Sequence, residues 1–561
     1  MARARGVVLL RRVRNGTHRA ETALYAWIER TIFDLARQLR WSFLPPLMVY
    51  LAAGVSGLTA IVGTFFVKDY LGLSAAFLAA LGFWAGIPWA LKMPIGHLVD
   101  LIWRWKSLLV YAGAGLIAVS LGGMYGLIAH REAMTAIASA EAWFVASALL
   151  APIGYVLQDV VADAMTVEAV PLHDAEGNPI PDGEVRAMHT TMQTLGRFAI
   201  ISGTVFVAAL NIFMFAGVET MAEADKVRIY ANIYLMAMAI PVVSVAGVVF
   251  ASILRASRRR NLLRQGMGTD EIARILDGAV EAAHPNWWIL GGSIVFVVFT
   301  VSLGLSPLPF AQEIIFVGSM TIVLFLMSRL LKELAPDVRL ALVGTAVIVF
   351  VFRAVPLPGA GVAWFEIDVL GFDQQFLSIL NLIASCLALA GMVVLRPLMA
   401  SRSIAWLVVL LTVAGGILML PNIGLYYGIH HWTAAMTGGV VDARFIAVID
   451  TAIESPLGQV AMIPMLAWIA KNAPAHLKAT FFAVMASFTN LALSAASLGT
   501  RYMNEIFIIT REVKDRATGA VQMAADYSQL GWLLIAVTVI SVAVPLGVVW
   551  MVQASRLRTS Q

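Results

Sequence analysis

Four carboxylates lie as two pairs inside long apolar stretches of the sequence. Asp159 and Asp163 form the first pair, Asp450 and Glu454 form the second, and each pair is spaced four residues apart. Residues at this spacing face the same side of an α-helix. A charged side chain at mid-bilayer costs about 3 kcal/mol or more. Each acid therefore requires a partner or a function.

Two basic residues, Lys92 and Arg197, lie inside apolar stretches near the first acid pair in predicted depth. Opposite charges stabilise each other in a medium without water, so we expect these four side chains to meet. Two interpretations stay open: a static network that holds an inner gate, or a relay for protons or substrate. For Asp163, and for Asp100 nearer the inner end, a structural role is favoured.

The second acid pair has no Lys or Arg at its predicted depth. Repulsion between two desolvated carboxylates favours a bound proton on one of them. Asp450 and Glu454 are therefore candidates for proton coupling, although the same pair would also bind a cationic group.

Other polar residues give weaker indications. Gln158, Gln459 and Asn490 lie in apolar stretches and can bond either a substrate or a neighbouring helix, which is the commoner use. His430 and His431 lack further residues at metal-ligand spacing. No phosphate-binding Gly loop or Cys/His cluster is present in the sequence. We therefore expect no cofactor, no metal and no enzymatic activity.

The composition explains where these charges must lie. The chain of 561 residues is 60% hydrophobic and 13% charged, with one cysteine, whereas globular domains are about 25% charged. This excludes a soluble enzyme, a disordered chain and a disulfide scaffold. A bilayer-spanning helix needs about 20 apolar residues. The sequence has fourteen such stretches, at about 42–67, 73–97, 107–130, 141–165, 188–214, 229–254, 287–306, 309–331, 340–356, 372–395, 404–428, 443–470, 479–503 and 530–552.

The distribution of Lys and Arg predicts the orientation of these spans. With the N-terminus in the cytoplasm, most of the 39 basic residues lie in cytoplasmic segments. Both termini are then cytoplasmic, and the net charge of +5 indicates orientation rather than nucleic-acid binding. Residues 1–41 are Arg-rich and include a predicted amphipathic surface helix at 20–41, and a second is predicted at 269–283.

The chain also repeats itself. Residues 65–81 match residues 364–380 at seven of seventeen positions, and both segments end one predicted helix and begin the next. This predicts two six-helix bundles, 42–254 and 338–552, separated by a cytoplasmic loop at 255–286 and an inserted hairpin at 287–331, with a tail at 553–561.

A second repeated pattern lies in the predicted fourth helix of each half. Pro152 and Gly154 recur as Pro456 and Gly458. Paired interruptions of this kind are a sequence pointer to a transporter's central site.

The loop after the second helix, GHLVDLIWRWK at 96–106, resembles the signature of the major facilitator superfamily. Leu101 stands where that signature usually has a basic residue. The resemblance implies two bundles that rock around a central cavity, lined by the first and fourth helices of each half. It also implies inner-gate roles for four residues, namely Gly96, Asp100, Arg104 and Lys106.

Three stretches resemble the folate-biopterin transporter family more specifically: GIPWALKMPIGHLVD at 86–100, QDVVADAMTVE at 158–168, and residues 461–490. The muropeptide permeases are a neighbouring resemblance. The likeness covers about 42–254 and 338–552, so we expect the hairpin at 287–331 to lie outside it.

The resemblance implies a multi-pass secondary transporter with a folate- or pterin-like substrate, and the second acid pair predicts that transport is coupled to protons. The expected location is the cytoplasmic membrane. The expected partners are a small-molecule substrate and the lipid bilayer, not nucleic acid, and the sequence does not identify protein partners. Two alternatives remain: a muropeptide or other amphiphile permease, and a non-transporting membrane assembly factor.

Overall fold

The structure is a computed structural model. It describes residues 39–71, 73–90, 92–102, 105–171, 180–277, 308–332, 336–394, 402–454, 478–514 and 521–558, with a few single positions between 287 and 303. The predicted amphipathic helix at 20–41 lies almost wholly outside these residues.

Helices dominate the described part of the chain. The first eleven are α1 (Leu44–Val55), α2 (Ala60–Tyr70), α3 (Ala75–Ala90), α4 (Lys92–Leu101), α5 (Ser107–Ala129), α6 (Arg131–Thr135), α7 (Ala140–Ala169), α8 (Asp182–Met214), α9 (Glu223–Ala237), α10 (Ala239–Arg264) and α11 (Thr269–Asp277). Short 3₁₀ helices cover Trp41–Phe43, Ser56–Thr59 and Val218–Thr220.

The later helices are α12 (Ala311–Leu331), α13 (Pro336–Arg353), α14 (Ala360–Asp368), α15 (Gln374–Val394), α16 (Ile404–Tyr426), α17 (Ile429–Met436), α18 (Ala443–Glu454), α19 (Lys478–Ile506) and α20 (Leu530–Ala554). The prediction of an all-α protein misses one small feature. Strands β1 (Val513–Lys514) and β2 (Val521–Met523) pair antiparallel between α19 and α20. Such short strands carry no hydropathy signal that separates them from a loop.

Eight helical segments of the described residues are long and apolar enough to cross a membrane. They are Trp41–Val67, Ser107–Ala129, Ala140–Thr166, Leu195–Met214, Glu223–Arg264, Gln374–Gly391, Ile404–Tyr426 and Leu530–Ala554. The protein is therefore a multi-pass membrane protein. The count of fourteen spans and the cytoplasmic termini stay predictions.

One structural expectation is wrong. Pro152 does not interrupt its helix, because α7 is continuous from Ala140 to Ala169. Proline is tolerated in membrane helices when the neighbouring structure satisfies the freed backbone group. Pro456 and Gly458, which correspond to Pro152 and Gly154 in the sequence repeat, lie outside the described residues.

The chain divides into two compact units. The first comprises residues 1–50, 162–199 and 246–279. Its described apolar core is built from the start of α1, the end of α7 and the start of α8, with Phe43, Val170 and Met192 buried together. Gly247 on α10 lets that helix approach α1 closely, since a Cβ there would lie 2.8 Å from the Pro45 carbonyl oxygen.

The second unit comprises residues 51–161, 200–245 and 280–561. Its largest described apolar cluster joins α2, α5 and α9, where Phe65, Ile117 and Tyr230 are buried. A separate cluster joins α12, α13, α16, α19 and α20. Buried apolar clusters thus join helices that precede the inserted hairpin in the sequence and helices that follow it.

Two glycines allow α5 and α7 to cross at close range within this unit. A Cβ on Gly154 would lie 2.6 Å from the Gly113 carbonyl oxygen, and the reciprocal distance is the same. Small residues let membrane helices pack backbone to backbone. The feature at Pro152 and Gly154 is therefore a packing site for α5 in the described structure.

We expect Gly154→Ala to lower the apparent unfolding temperature in detergent by several degrees. The added methyl meets backbone atoms that cannot yield without moving a helix, and such overpacking costs about 1–3 kcal/mol. Gly115→Ala on α5 is the matched control, because nothing lies within 4 Å of its added Cβ. Equal effects of the two variants would contradict the close crossing.

Candidate functional site

Lys92 and Asp159 form a short ion pair. Lys92 is the first residue of α4 and Asp159 lies on α7, and Lys92 Nζ donates to Asp159 Oδ2 at 2.6 Å. Charge-assisted hydrogen bonds are shorter and stronger than neutral ones. The side chains are 21% and 15% exposed respectively. The pair is thus mostly buried, with a small part of each side chain exposed.

Gln158 fixes the stretch of α7 that carries Asp159. Its amide Nε2 donates to the Val110 carbonyl oxygen at 3.3 Å, and its Oε1 accepts from Ser244 Oγ at 2.9 Å. The side chain is buried. Gln158 therefore serves as an interhelical bond from α7 to α5 and α10, which holds the neighbouring carboxylate in register toward Lys92.

Asp163 has a different partner. In the first unit, Tyr50 Oη donates to Asp163 Oδ1 at 2.6 Å. Arg197, on α8, has an exposed side chain. The structure thus pairs Lys92 with Asp159 and gives Asp163 a tyrosine, while the meeting of all four charges stays a prediction.

Asp450 is buried in the later part of the chain. It lies on α18, is 8% exposed, and its Oδ2 accepts from Asn422 Nδ2 at 3.0 Å. Asn422 directly follows Pro421 inside α16. Its amide donates a hydrogen bond but carries no charge, so this contact orients the carboxylate without neutralising it.

A second carboxylate, Glu366 on α14, lies close enough to Asp450 for their charges to repel each other. Its side chain is half-buried. Glu366 is not among the site residues predicted from the sequence. The repeat contains the signal that would have found it, because Glu366 corresponds to Val67, which is buried in the first half. An acid at a position equivalent to a buried valine indicates a role other than packing.

A short non-helical segment between α13 and α14 positions α14. Gly359 has a φ of +83°, which favours glycine, and it lies between the end of α13 and the start of α14. Helix α19 bonds the backbone of this segment. Thr500 Oγ1 accepts from the Leu357 N–H at 2.9 Å, and Asn504 Nδ2 donates to the Pro358 carbonyl oxygen at 3.1 Å. Irregular backbone in membrane proteins survives only where such partners satisfy it.

An ion pair fixes the start of α18, and hence the direction in which Asp450 projects. Arg444 Nη2 donates to Asp373 Oδ2 and to the Gly371 carbonyl oxygen, each at 3.0 Å. Asp373 also accepts from the Phe376 N–H at the start of α15. One carboxylate thus ties α18 to the first turn of α15.

The remaining predicted site residues are distributed as follows. Asn490 Nδ2 donates to the Trp89 carbonyl oxygen at 2.9 Å, so it bonds α19 to α3. Gly96 lies half-buried within α4, and Lys106 is buried just before α5.

Four predicted site residues lie outside the described part of the structure: the side chains of Asp100 and Glu454, and the whole of Arg104 and Gln459. Across the described part of the chain, no group of three or more His, Cys, Asp or Glu residues could hold a metal ion.

Two solved transporters share this fold. A POT family transporter in complex with thioalcohol conjugated peptide has a TM-score of 0.58 at 12% identity, over 92% of this chain and 96% of that chain. A mutant of the nucleoside transporter NupG has a TM-score of 0.52 at 12% identity, over 91% of this chain and all of that chain. At these identities the likeness shows the fold alone, which is that of a major-facilitator-type transporter.

Sequence comparison supplies the family resemblance. Residues 293–560 match the BT1 family. The folate-biopterin transporter of Synechocystis sp. (strain PCC 6803) is 23% identical over 456 residues, which is 81% of this chain and 72% of that protein. The predicted resemblance to folate-biopterin transporters is confirmed, and the chain is a membrane transporter rather than an enzyme. The expectation that the hairpin at 287–331 lies outside the resemblance is wrong, because the BT1 match begins at residue 293.

The Lys92–Asp159 pair predicts strongly coupled effects on stability. Lys92→Gln or Asp159→Asn alone leaves the other charge without its partner, whereas the double variant leaves neither charge. We expect the double variant to unfold at higher denaturant than the sum of the single effects implies, with a coupling of about 1–3 kcal/mol. Unfolding in mixed detergent micelles measures it, and additive single effects would argue against the pair.

Proposed function

We propose that the chain is a proton-coupled secondary transporter of small organic anions of the folate and pterin class, working by alternating access. It would lie in the cytoplasmic membrane with both termini inside. The fold and the family likeness support transport, and the Synechocystis relative's name supports the substrate class. The observation that carries the coupling proposal is a buried carboxylate, Asp450, that is bonded to the Asn422 amide and whose charge repels that of Glu366.

Substrate recognition is assigned to the Lys92–Asp159 pair. A substrate carboxylate can replace Asp159 as the partner of Lys92, because both present the same anionic oxygens to the ammonium group. The exchange leaves Asp159 without its ammonium partner, so the site gains one negative charge unless Asp159 takes up a proton, and the partial exposure of both side chains allows the approach. A neutral substrate would gain nothing from this exchange, so the site favours an anionic solute.

Proton binding is assigned to Glu366 and Asp450, with Glu454 as a third candidate one turn along α18. Two carboxylates whose charges repel each other disfavour simultaneous ionisation, so a state with one bound proton is favoured over a doubly ionised one. Asn422 presents a neutral amide to Asp450, which a protonated or an ionised carboxyl can use. The proton and the anion then enter the carrier together, and the pair of them moves less net charge across the membrane than the anion alone.

Arg197 and Asp163 stay proposed members of the inner network, with Gly96, Asp100, Arg104 and Lys106 as inner-gate residues. Gln459 stays a secondary polar candidate. Gln158 and Asn490 act through neighbouring helices in the described structure and are proposed as positioning residues.

Uptake of labelled folate into proteoliposomes tests the site. In wild type, we expect faster uptake when the external buffer is more acidic than the lumen. Asp450→Asn and Glu366→Gln should each abolish this stimulation, because a neutral amide cannot carry the proton. Glu132→Gln, at an exposed position on α6, is the matched control and should retain it. Retention of the stimulation in both acid variants would contradict the assignment.

The substrate class has its own test. A ligand that binds the folded state raises the unfolding temperature by mass action. We expect folate to stabilise the purified protein more strongly than the neutral biopterin, and Lys92→Gln to lose the response to folate, whose carboxylates need the ammonium group. Stabilisation by an anhydro-muropeptide and not by folate would replace the proposed substrate, and the absence of any ligand response would favour an assembly factor.

A further inference from the structure

The first turn of α12, in the inserted hairpin, bonds two helices at once. Gln312 is 8% exposed, and its Nε2 donates to the Ala80 carbonyl oxygen on α3 at 3.3 Å. Its Oε1 accepts from Arg501 Nη1 on α19 at 3.1 Å. A single buried side chain therefore links α3, in the predicted N-terminal bundle, to α19, in the predicted C-terminal bundle.

Charge strengthens the attachment to α19. Glu313 Oε1 accepts from Arg501 Nη1 at 3.4 Å and from the hydroxyl of Tyr502. Arg501 Nε also donates to Glu505 Oε1 at 2.8 Å within α19. The start of α12 is thus held to α19 by an ion pair and a tyrosine, and to α3 by one neutral hydrogen bond.

Apolar packing shows the same asymmetry. Ile315 is fully buried against Phe83 and Ile87 of α3 and Leu498 of α19. Further along α12, Val323 and Met327 pack in a cluster of C-terminal helices that includes Leu342 and Phe488. Among the described residues, α12 thus packs on the C-terminal bundle along most of its length, and its contacts with α3 lie in its first half.

The surface that α12 spans is the seam between α3 and α19. These helices pack closely: a Cβ on Gly86 would lie 3.4 Å from Ser494 Oγ, and one on Gly82 would lie 3.8 Å from Ser497 Oγ. In the predicted topology, Ala80, Gln312 and Arg501 lie at the outer end of this seam. A carrier whose bundles rock must separate helices at one end of such a seam during its cycle.

We propose that α12, the described helix of the inserted hairpin, forms a latch across the outer end of the α3–α19 seam, and that Gln312 is the link which breaks when the carrier opens outward. We define the latch as Gln312, Glu313, Arg501 and Tyr502. The three α12–α19 contacts persist through the cycle and carry α12 with the C-terminal bundle, while the Gln312–Ala80 bond forms and breaks. This inference rests on the proposed alternating access but not on the proposed substrate.

The test measures opening of the seam in detergent, where both ends are accessible. A Ser497→Cys reporter is placed in a Cys386→Ser background, which removes the single native thiol. Gln312→Leu keeps the volume of the side chain but removes both hydrogen bonds. We expect it to raise the rate of maleimide labelling at position 497 roughly fivefold, the effect of one net hydrogen bond.

Glu505→Gln is the matched control, because it removes the carboxylate charge that pairs with Arg501 Nε and leaves the bonds of Gln312 and Glu313 in place. It should leave the labelling rate unchanged. An unchanged rate in Gln312→Leu, in a variant whose unfolding temperature matches the background, would overturn the latch. If Gln312→Leu does not fold, Arg501→Lys, which keeps the charge but loses the guanidinium geometry, should raise the rate in the same direction, and no change there would also overturn it.

A cross-link tests the premise of a moving seam. Gly82→Cys with Ser497→Cys, in the Cys386→Ser background, should form a disulfide under mild oxidation that stops transport until a reductant is added. Full transport in the cross-linked protein would overturn the proposal. Faster labelling in Gln312→Leu without any folate uptake would support the latch and contradict the substrate instead, so the two failures are distinguishable.

Discussion

The N-terminal part of the site depends on one interaction, the ion pair between Lys92 and Asp159. A bilayer interior has no water to solvate a lone charge, so either side chain alone would be unfavourable at that position. Together they neutralise each other over 2.6 Å and bond α4 to α7. The proposal combines the two interpretations, a static network and a relay: the pair is structural while the site is empty, and Lys92 exchanges its anion when a substrate carboxylate arrives.

The two parts of the site differ in how their charges are balanced. Asp159 pairs with an ammonium group, whereas Asp450 accepts from an amide at 3.0 Å and its charge repels that of Glu366. A neighbouring base favours the ionised form of an acid, and a neighbouring acid favours the protonated form. This difference separates the proposed anion site from the proposed proton site. The turn at Gly359, whose flanking backbone groups are bonded by Thr500 and Asn504, sets the start of α14, the helix that carries Glu366.

Much of this arrangement could be predicted from the sequence, for particular reasons. Lys92 and Asp159 could be paired because charges are rare in apolar stretches and few partners were available. Glu366 was harder to predict, since it lies near the end of its helix, and only its correspondence to the buried Val67 marks it. Arg197 shows the opposite limit: its position inside an apolar stretch suggested burial, but its side chain is exposed in the described structure. Pro152 suggested a broken helix, whereas α7 continues and uses Gly154 for close packing.

The packing of α12 against its neighbours was also unpredictable, because a helix that is apolar on most sides carries no periodic signal for the face it buries.

The central claim is that an organic anion and a proton move together through this protein. Proteoliposomes that contain a pH-sensitive dye measure it directly, with folate added outside in the absence of any imposed pH gradient. The account predicts that the lumen acidifies as folate enters, and that Asp450→Asn abolishes the acidification. Accumulation of folate with no change in luminal pH would contradict it.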